Sequence, residues 1–174
     1  MRMLALSMIM ALTLWPLSGS ASGSTLECRV KVAFLGLHFN DMSTEGAYNG
    51  IRADEVARIK LSEEYIVQRL QEYGFDVVSN VPIADALAKI FNPAQCNGCD
   101  LKFGRELGVK YVVVSELTKV SNLIQAVNIQ VRDVETGRQP KGRSVDIRGN
   151  TDIAWERGLR YIFDHHIFDD CELS

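Results

Sequence analysis

The most regular stretch of apolar and polar positions runs from Asp100 to Arg138. Leu101, Arg105, Glu106 and Leu107 are good helix formers, Asp100 is placed to cap them, and Gly108 supplies the left-handed residue that closes many helices. The run Val109, Tyr111, Val112, Val113, Val114 is too short and too β-branched for a helix and predicts a buried strand. Thr118 to Asn122 are polar and predict a connection. A second strand then alternates, with Ile124, Ala126, Gln130 and Arg132 on one face and Val127, Ile129, Val131 and Asp133 on the other. Glu135-Thr136-Gly137 ends it with turn chemistry.

The same reading extends in both directions. Val30, Val32, Phe34, Leu35, Leu37 and Phe39 predict a central strand, with His38 alternating out of it and a polar, glycine-rich loop from Thr44 to Gly50 behind it. A helix follows over Ala53 to Tyr73, with Val56, Ile59, Ile66, Leu70 and Tyr73 on its apolar face and a break allowed near Ser62. Phe75 to Val78 predict a short strand, and Pro82 opens a helix over Ile83 to Phe91. Near the end, Ser144 to Arg148 predict a strand. Asn150 or Thr151 caps a last helix whose apolar face is Ile153, Trp155, Leu159, Ile162, Phe163 and Ile167. The order β-α-β-α-α-β-β-β-α predicts an α/β (α+β) protein: a mixed sheet with a C-terminal β-hairpin and packed helices.

Composition narrows the class. At 174 residues and 47% hydrophobic, the chain suits one globular domain, expected over 26–174. Arg2 precedes an uncharged apolar run from Met3 to Leu17 and then small residues to Gly23, which predicts a cleaved signal peptide over 1–21, to about residue 23. The run is shorter than the roughly 20 residues of a spanning helix and holds Pro16, so no transmembrane anchor is expected after processing. Cleavage leaves 18 basic residues (19 less Arg2) against 22 acidic ones. Without a basic stripe, nucleic acid is not an expected partner.

Candidate chemistry is sparse. Export makes oxidation of Cys28, Cys96, Cys99 and Cys171 the expectation, with Cys96–Cys99 as a local bridge and Cys28–Cys171 joining the ends. A helix after Cys99 leaves thiol-redox or metal chemistry as the alternative for the CxxC pair, although Asp100 opposes a thiolate. If the tail is helical, His165/Asp169 and His166/Asp170 stand four apart and could each chelate a metal. Asp146, Arg148, Asp152 and Arg157 could form an ion-pair network with Arg132 and Asp133. No nucleophile, base and orienter can be assembled, and no phosphate loop or cofactor motif is present. Met42, Tyr48 and Ile51 are apolar residues in a loop with no periodic reason to be in a core. With Asn97-Gly98 at the tip of the cysteine loop, they are the expected binding residues.

The stretch FGRELGVKYVVVSELTKVSNLIQAVNIQVRDVETGR resembles the second half of the TolB N-terminal domain and related periplasmic modules of curli-secretion and penicillin-binding-protein-activator lipoproteins. Cys96-Asn97-Gly98-Cys99, Lys119-Val120-Ser121-Asn122 and Asp146 to Asp152 followed by Trp155 resemble, more closely, a small exported Gram-negative family of unknown function. That likeness implies a TolB-N-terminal-like fold, a periplasmic location and a non-catalytic accessory role. It implies binding of an envelope protein or small ligand without a cofactor, with a quinoprotein dehydrogenase system as a candidate partner.

Overall fold

The computed structural model describes residues 30–167. Its centre is a five-stranded sheet in the order β2-β1-β3-β4-β5. The strands are β1 (Lys31–Asp41), β2 (Asp76–Val77), β3 (Tyr111–Lys119), β4 (Ile124–Asp133) and β5 (Lys141–Arg148). β1 runs parallel to β2 and β3, whereas β3, β4 and β5 form an antiparallel meander. The mixed sheet with helices that the sequence predicts is therefore present.

Two helices cover one face, α2 (Ala53–Glu72) and α5 (Asp152–Ile162), the latter running into a π-helical turn over Phe163–Ile167. Ile66 and Leu70 from α2, and Trp155, Leu159 and Ile162 from α5, are buried there against Tyr111, Val113, Leu117, Val127, Ile129 and Val131. The opposite face is covered over β1 and β3 by α4 (Cys99–Leu107) and by 3-10 turns at Val81–Ile83 and Pro93–Gln95, around Ile83, Phe103, Val112 and Val114. Short helices α1 (Thr44–Asn49) and α3 (Ala84–Leu87) complete the order.

One irregularity sets which way β1 faces. Between Phe34 and Leu37 the pairing with β3 shifts by a bulge, where Gly36 takes φ 99°. Val32 and Phe34 before it, and Leu37 and Phe39 after it, all join the core under α2 and α5.

The structure departs from the pattern at identifiable places. Part of the expected Thr44–Gly50 loop is α1, started by Ser43, whose hydroxyl accepts from the Gly46 N–H. α2 continues through Ser62, which is buried. The helix expected to reach Phe91 ends at Leu87. Asp100 does not cap α4: Gly98 is its N-cap, and Asp100 lies inside the first turn, 1% exposed and 2.7 Å from Arg132. β3 runs on to Lys119, through residues read as a connection, and β5 starts three residues early. Ile153 is exposed because it lies in the first turn of α5, beyond the sheet contact.

Candidate functional site at the carboxyl end of the sheet

Lys119 is the last residue of β3 and is completely buried. Strand alternation points it, like Tyr111, Val113 and Leu117, under α2 and α5. Its ammonium donates to Glu55 at 2.7 Å, Asp41 at 3.1 Å and Glu45 at 3.3 Å. An unpaired buried lysine would cost several kcal/mol, so the carboxylates are what make this position tolerable.

Each carboxylate is itself held in place. Asp41 accepts from both the N–H and the hydroxyl of Ser43. Gly46 is glycine because a Cβ there would stand 2.3 Å from the Asp41 carboxyl. Glu55, at the third position of α2, reaches back with one oxygen to the Arg52 N–H, and its other oxygen takes Lys119 and the Asn150 amide. Glu45 accepts from Asn122 at 2.8 Å. The Asn150 oxygen accepts from Arg58, which also donates to Asp152 at 2.7 Å and lies over the Trp155 ring. Burial opposes ionisation of Asp41 and Glu55. Ser43 and Lys119 on Asp41, and Lys119, Arg52 and Asn150 on Glu55, outweigh it and hold both below the usual carboxylate range. Lys119 is likewise disfavoured by burial yet held above its ordinary value by Glu55 and Asp41.

This network ties together the β1–α2 connection, the β3–β4 turn and the β5–α5 turn. Above it the same three connections expose apolar side chains: Met42 (67%), Tyr48 (85%), Ile51, Val120, Leu123 (73%) and Ile153 (69%). The Met42 N–H bonds to the Lys119 carbonyl and the Gly149 N–H to the Leu123 carbonyl, so these residues belong to one end of the sheet. The geometry offers a rigid, ion-locked seat with an apolar rim. Among the described residues no group of His, Cys, Asp and Glu side chains is disposed to hold a metal.

Met42, Tyr48 and Ile51 are thus all exposed on the β1–α2 connection. Asn97 and Gly98 are elsewhere. Both take left-handed backbone at the Cys96–Cys99 disulfide, and the loop is anchored by Asn92 and Gln95 on Glu116. Glu116 points to the face opposite Lys119. Cys28, Cys171, Asp169, Asp170 and the His166 side chain lie outside the described residues; His165 packs edge-on against Tyr161. The expected network around Arg132 and Asp152 is not formed, since Arg132 pairs with Asp100 and Asp152 with Arg58. Sequence reading missed Lys119 and Glu55 as partners. The available signal was parity: Lys119 continues the buried series Val113, Leu117.

Five strands in this order, with helices on both faces, define a mixed α+β protein of the LpoB-like fold. More particularly, the chain belongs to the family DUF3280, described as "Protein of unknown function (DUF2380)", which matches residues 30–167. Lys119, Asn122, Asn150 and Asp152, in the segments that carry the family likeness, all lie in the ion-locked seat. Among solved structures, the LpoB C-terminal domain from Salmonella enterica is similar at 14% identity over 68% of this chain and 82% of that one, with a TM-score of 0.50. Lipoprotein GNA1162 from Neisseria meningitidis is similar at 12% identity, 71% and 83% coverage and a TM-score of 0.49. TolB from Acinetobacter baumannii is similar at 13% identity over 79% of this chain but 28% of its own, with a TM-score of 0.39. The likeness to the LpoB domain is one of fold. No curated protein matches the chain.

Proposed function

We propose that the protein is an exported, non-catalytic binding module of the periplasm that engages an envelope protein through the rim of Met42, Tyr48, Ile51, Leu123 and Ile153. The observation that carries this reading is the gathering of large exposed apolar side chains on three connections that a buried ion network holds rigid. Exposed apolar groups of this kind mark contact surfaces, and a pre-ordered seat loses little entropy on binding. The signal-like N-terminus and the shared fold of LpoB support the location. The components of a quinoprotein dehydrogenase system are the first partners to test. A Tyr48→Ala, Ile51→Ala double variant should fold as the parent does and lose capture of the partner from the host periplasm. Retained capture with normal folding would place the contact elsewhere.

A further inference from the structure

β5 is the outer strand of the sheet and pairs with β4 alone. The Gly149 N–H bonds to the Leu123 carbonyl, whereas Ile124, which stands opposite Arg148, turns its own N–H and carbonyl to the β3–β4 turn. Odd-numbered residues of β5 therefore direct their peptide groups to β4, and Gly142, Ser144, Asp146 and Arg148 direct theirs outward. All four are exposed, and among the described residues these N–H and carbonyl groups meet no partner. The side chains of the odd residues lie on the α5 side, where Val145 and Ile147 pack on the core. Between this strand and α5 runs a groove of about 330 Å³ lined by Val145, Ile147, Ala154, Arg157, Gly158 and Tyr161. A Cβ on Gly158 would stand 2.9 Å from Ile147, so helix backbone rather than a side chain faces the strand there. Charge marks the same edge. Lys141, Arg143 and Arg148 on β5 and Arg157 on α5 gather there, with Asp146 as the single acid of the strand, on a chain whose net charge is −3. Among the described residues none of these bases has an ion pair or a side-chain hydrogen bond, while neighbouring Arg160 is taken by Glu156 at 3.5 Å.

We propose that an extended acidic segment of another protein adds to β5 as a further strand, antiparallel, with alternate side chains in the groove beside α5. Strand addition takes its affinity from main-chain hydrogen bonds and its selectivity from pockets for alternate side chains, and this edge offers both. A segment residue opposite Ser144, Asp146 or Arg148 exchanges N–H and carbonyl with it. Residues opposite Arg143, Val145 and Ile147 put their side chains on the α5 side. An apolar side chain therefore suits the position opposite Val145. Carboxylates suit those opposite Arg143 and Ile147, the latter sharing the groove lining with Arg157. Charge also chooses the occupant. A second copy would bring both sets of bases to one seam, and like charges on facing strands are destabilising. Basic residues that merely keep edges apart need no groove beneath them. This goes beyond the proposed contact rim, since no residue of that rim lines the groove.

The probe is the blocked peptide Glu-Glu-Thr-Val-Thr-Glu-Thr, which sets valine opposite Val145 and glutamates opposite Arg148, Ile147 and Arg143. A control peptide carries lysine in place of each glutamate. Titrated into the purified protein, the acidic peptide should bind saturably below millimolar concentration, and more weakly as salt rises. At saturation the amides of Ser144, Asp146 and Arg148 should exchange at least tenfold more slowly. Those of Arg143, Val145 and Ile147, already bonded to β4, should not change. This alternating protection is read on the parent protein, so it holds even if a variant folds poorly. Arg157→Glu, at an exposed position, should weaken binding at least fivefold, and Arg157→Lys should retain it. No binding at millimolar peptide overturns the inference, as does equal binding of the lysine peptide or by Arg157→Glu, or binding without the alternating protection. Protection that follows protein concentration with no peptide present assigns the edge to a second copy and overturns it too. None of these results depends on Tyr48 or Ile51, so the two readings fail separately.

Discussion

At the scale of single residues, Lys119 decides the most. Lys119→Met would keep the stem's apolar contacts but leave Asp41 and Glu55 buried without a cation, and should cost about 3–5 kcal/mol in urea unfolding. The linked pH dependence has a definite sign. Asp41 and Glu55 are depressed in the folded state, so their contribution is complete above the unfolded carboxylate pKa and is lost as pH falls through the folded values. Lys119 is raised, so its contribution is complete below the unfolded lysine pKa and is lost as pH rises through the folded one. Stability should plateau between these limits, and Glu55→Gln should flatten the acid limb in a pH series of thermal midpoints. Gln125, opposite Lys119 across the β3–β4 ladder, is 1% exposed, and its amide oxygen and nitrogen have no partner among the described residues. Gln125→Met should raise stability by about 1–3 kcal/mol. A loss would show that the amide is satisfied by bound water or a ligand.

At the scale of elements, the strands and long helices were legible because their apolar period agrees with their environment. β4 alternates, α2 buries Ile66 and Leu70 in its second half, although its first half buries Glu55, Arg58 and Ser62 and leaves the expected Val56 exposed, and Gly108 closes α4 in left-handed backbone. What failed was decided by contacts distant in sequence. Asp100 looks like a cap but is claimed by Arg132, and Lys119 looks like turn polarity but ends a strand because three carboxylates await it. Close packing of α4 on the sheet was equally silent. A Cβ on Gly104 would stand 2.5 Å from a Val134 methyl and 2.7 Å from one of Val112. Gly104→Ala should therefore cost about 1–3 kcal/mol in thermal or denaturant unfolding. The Cys96–Cys99 bridge closes a short loop, so replacing both by serine should weaken the fold only modestly.

At the scale of the molecule, the candidate site is assembled from β1, α2, β3 and the β5–α5 turn, with partners 64 and 95 residues apart. No local motif spells such a set, which explains why the loop residues Met42, Tyr48 and Ile51 could be read as exposed but the seat beneath them could not. Val30 and Ile167 both pack against the same core, while Cys28 and Cys171 lie outside the described residues. A bridge between those cysteines would close most of the chain, so Cys28→Ser with Cys171→Ser should cost on the order of 4 kcal/mol in the chain-entropy account. An unchanged thermal midpoint would refute that pairing.

The bulge at Gly36 gives β1 two reading frames. Before it the even residues look toward α2 and α5; after it the odd ones do. Straightening the bulge with Gly36 retained would put everything downstream out of phase, turning Asn40 toward Lys119 and Asp41 toward the cysteine loop; deleting Gly36 would instead give an unbroken strand with Leu37, Phe39 and Asp41 still facing α2 and α5. The extra residue is absorbed at this point, and that keeps the lysine neutralised rather than stranded. Among relatives, a one-residue gap here should leave the inward residues unchanged and coincide with lysine kept at position 119.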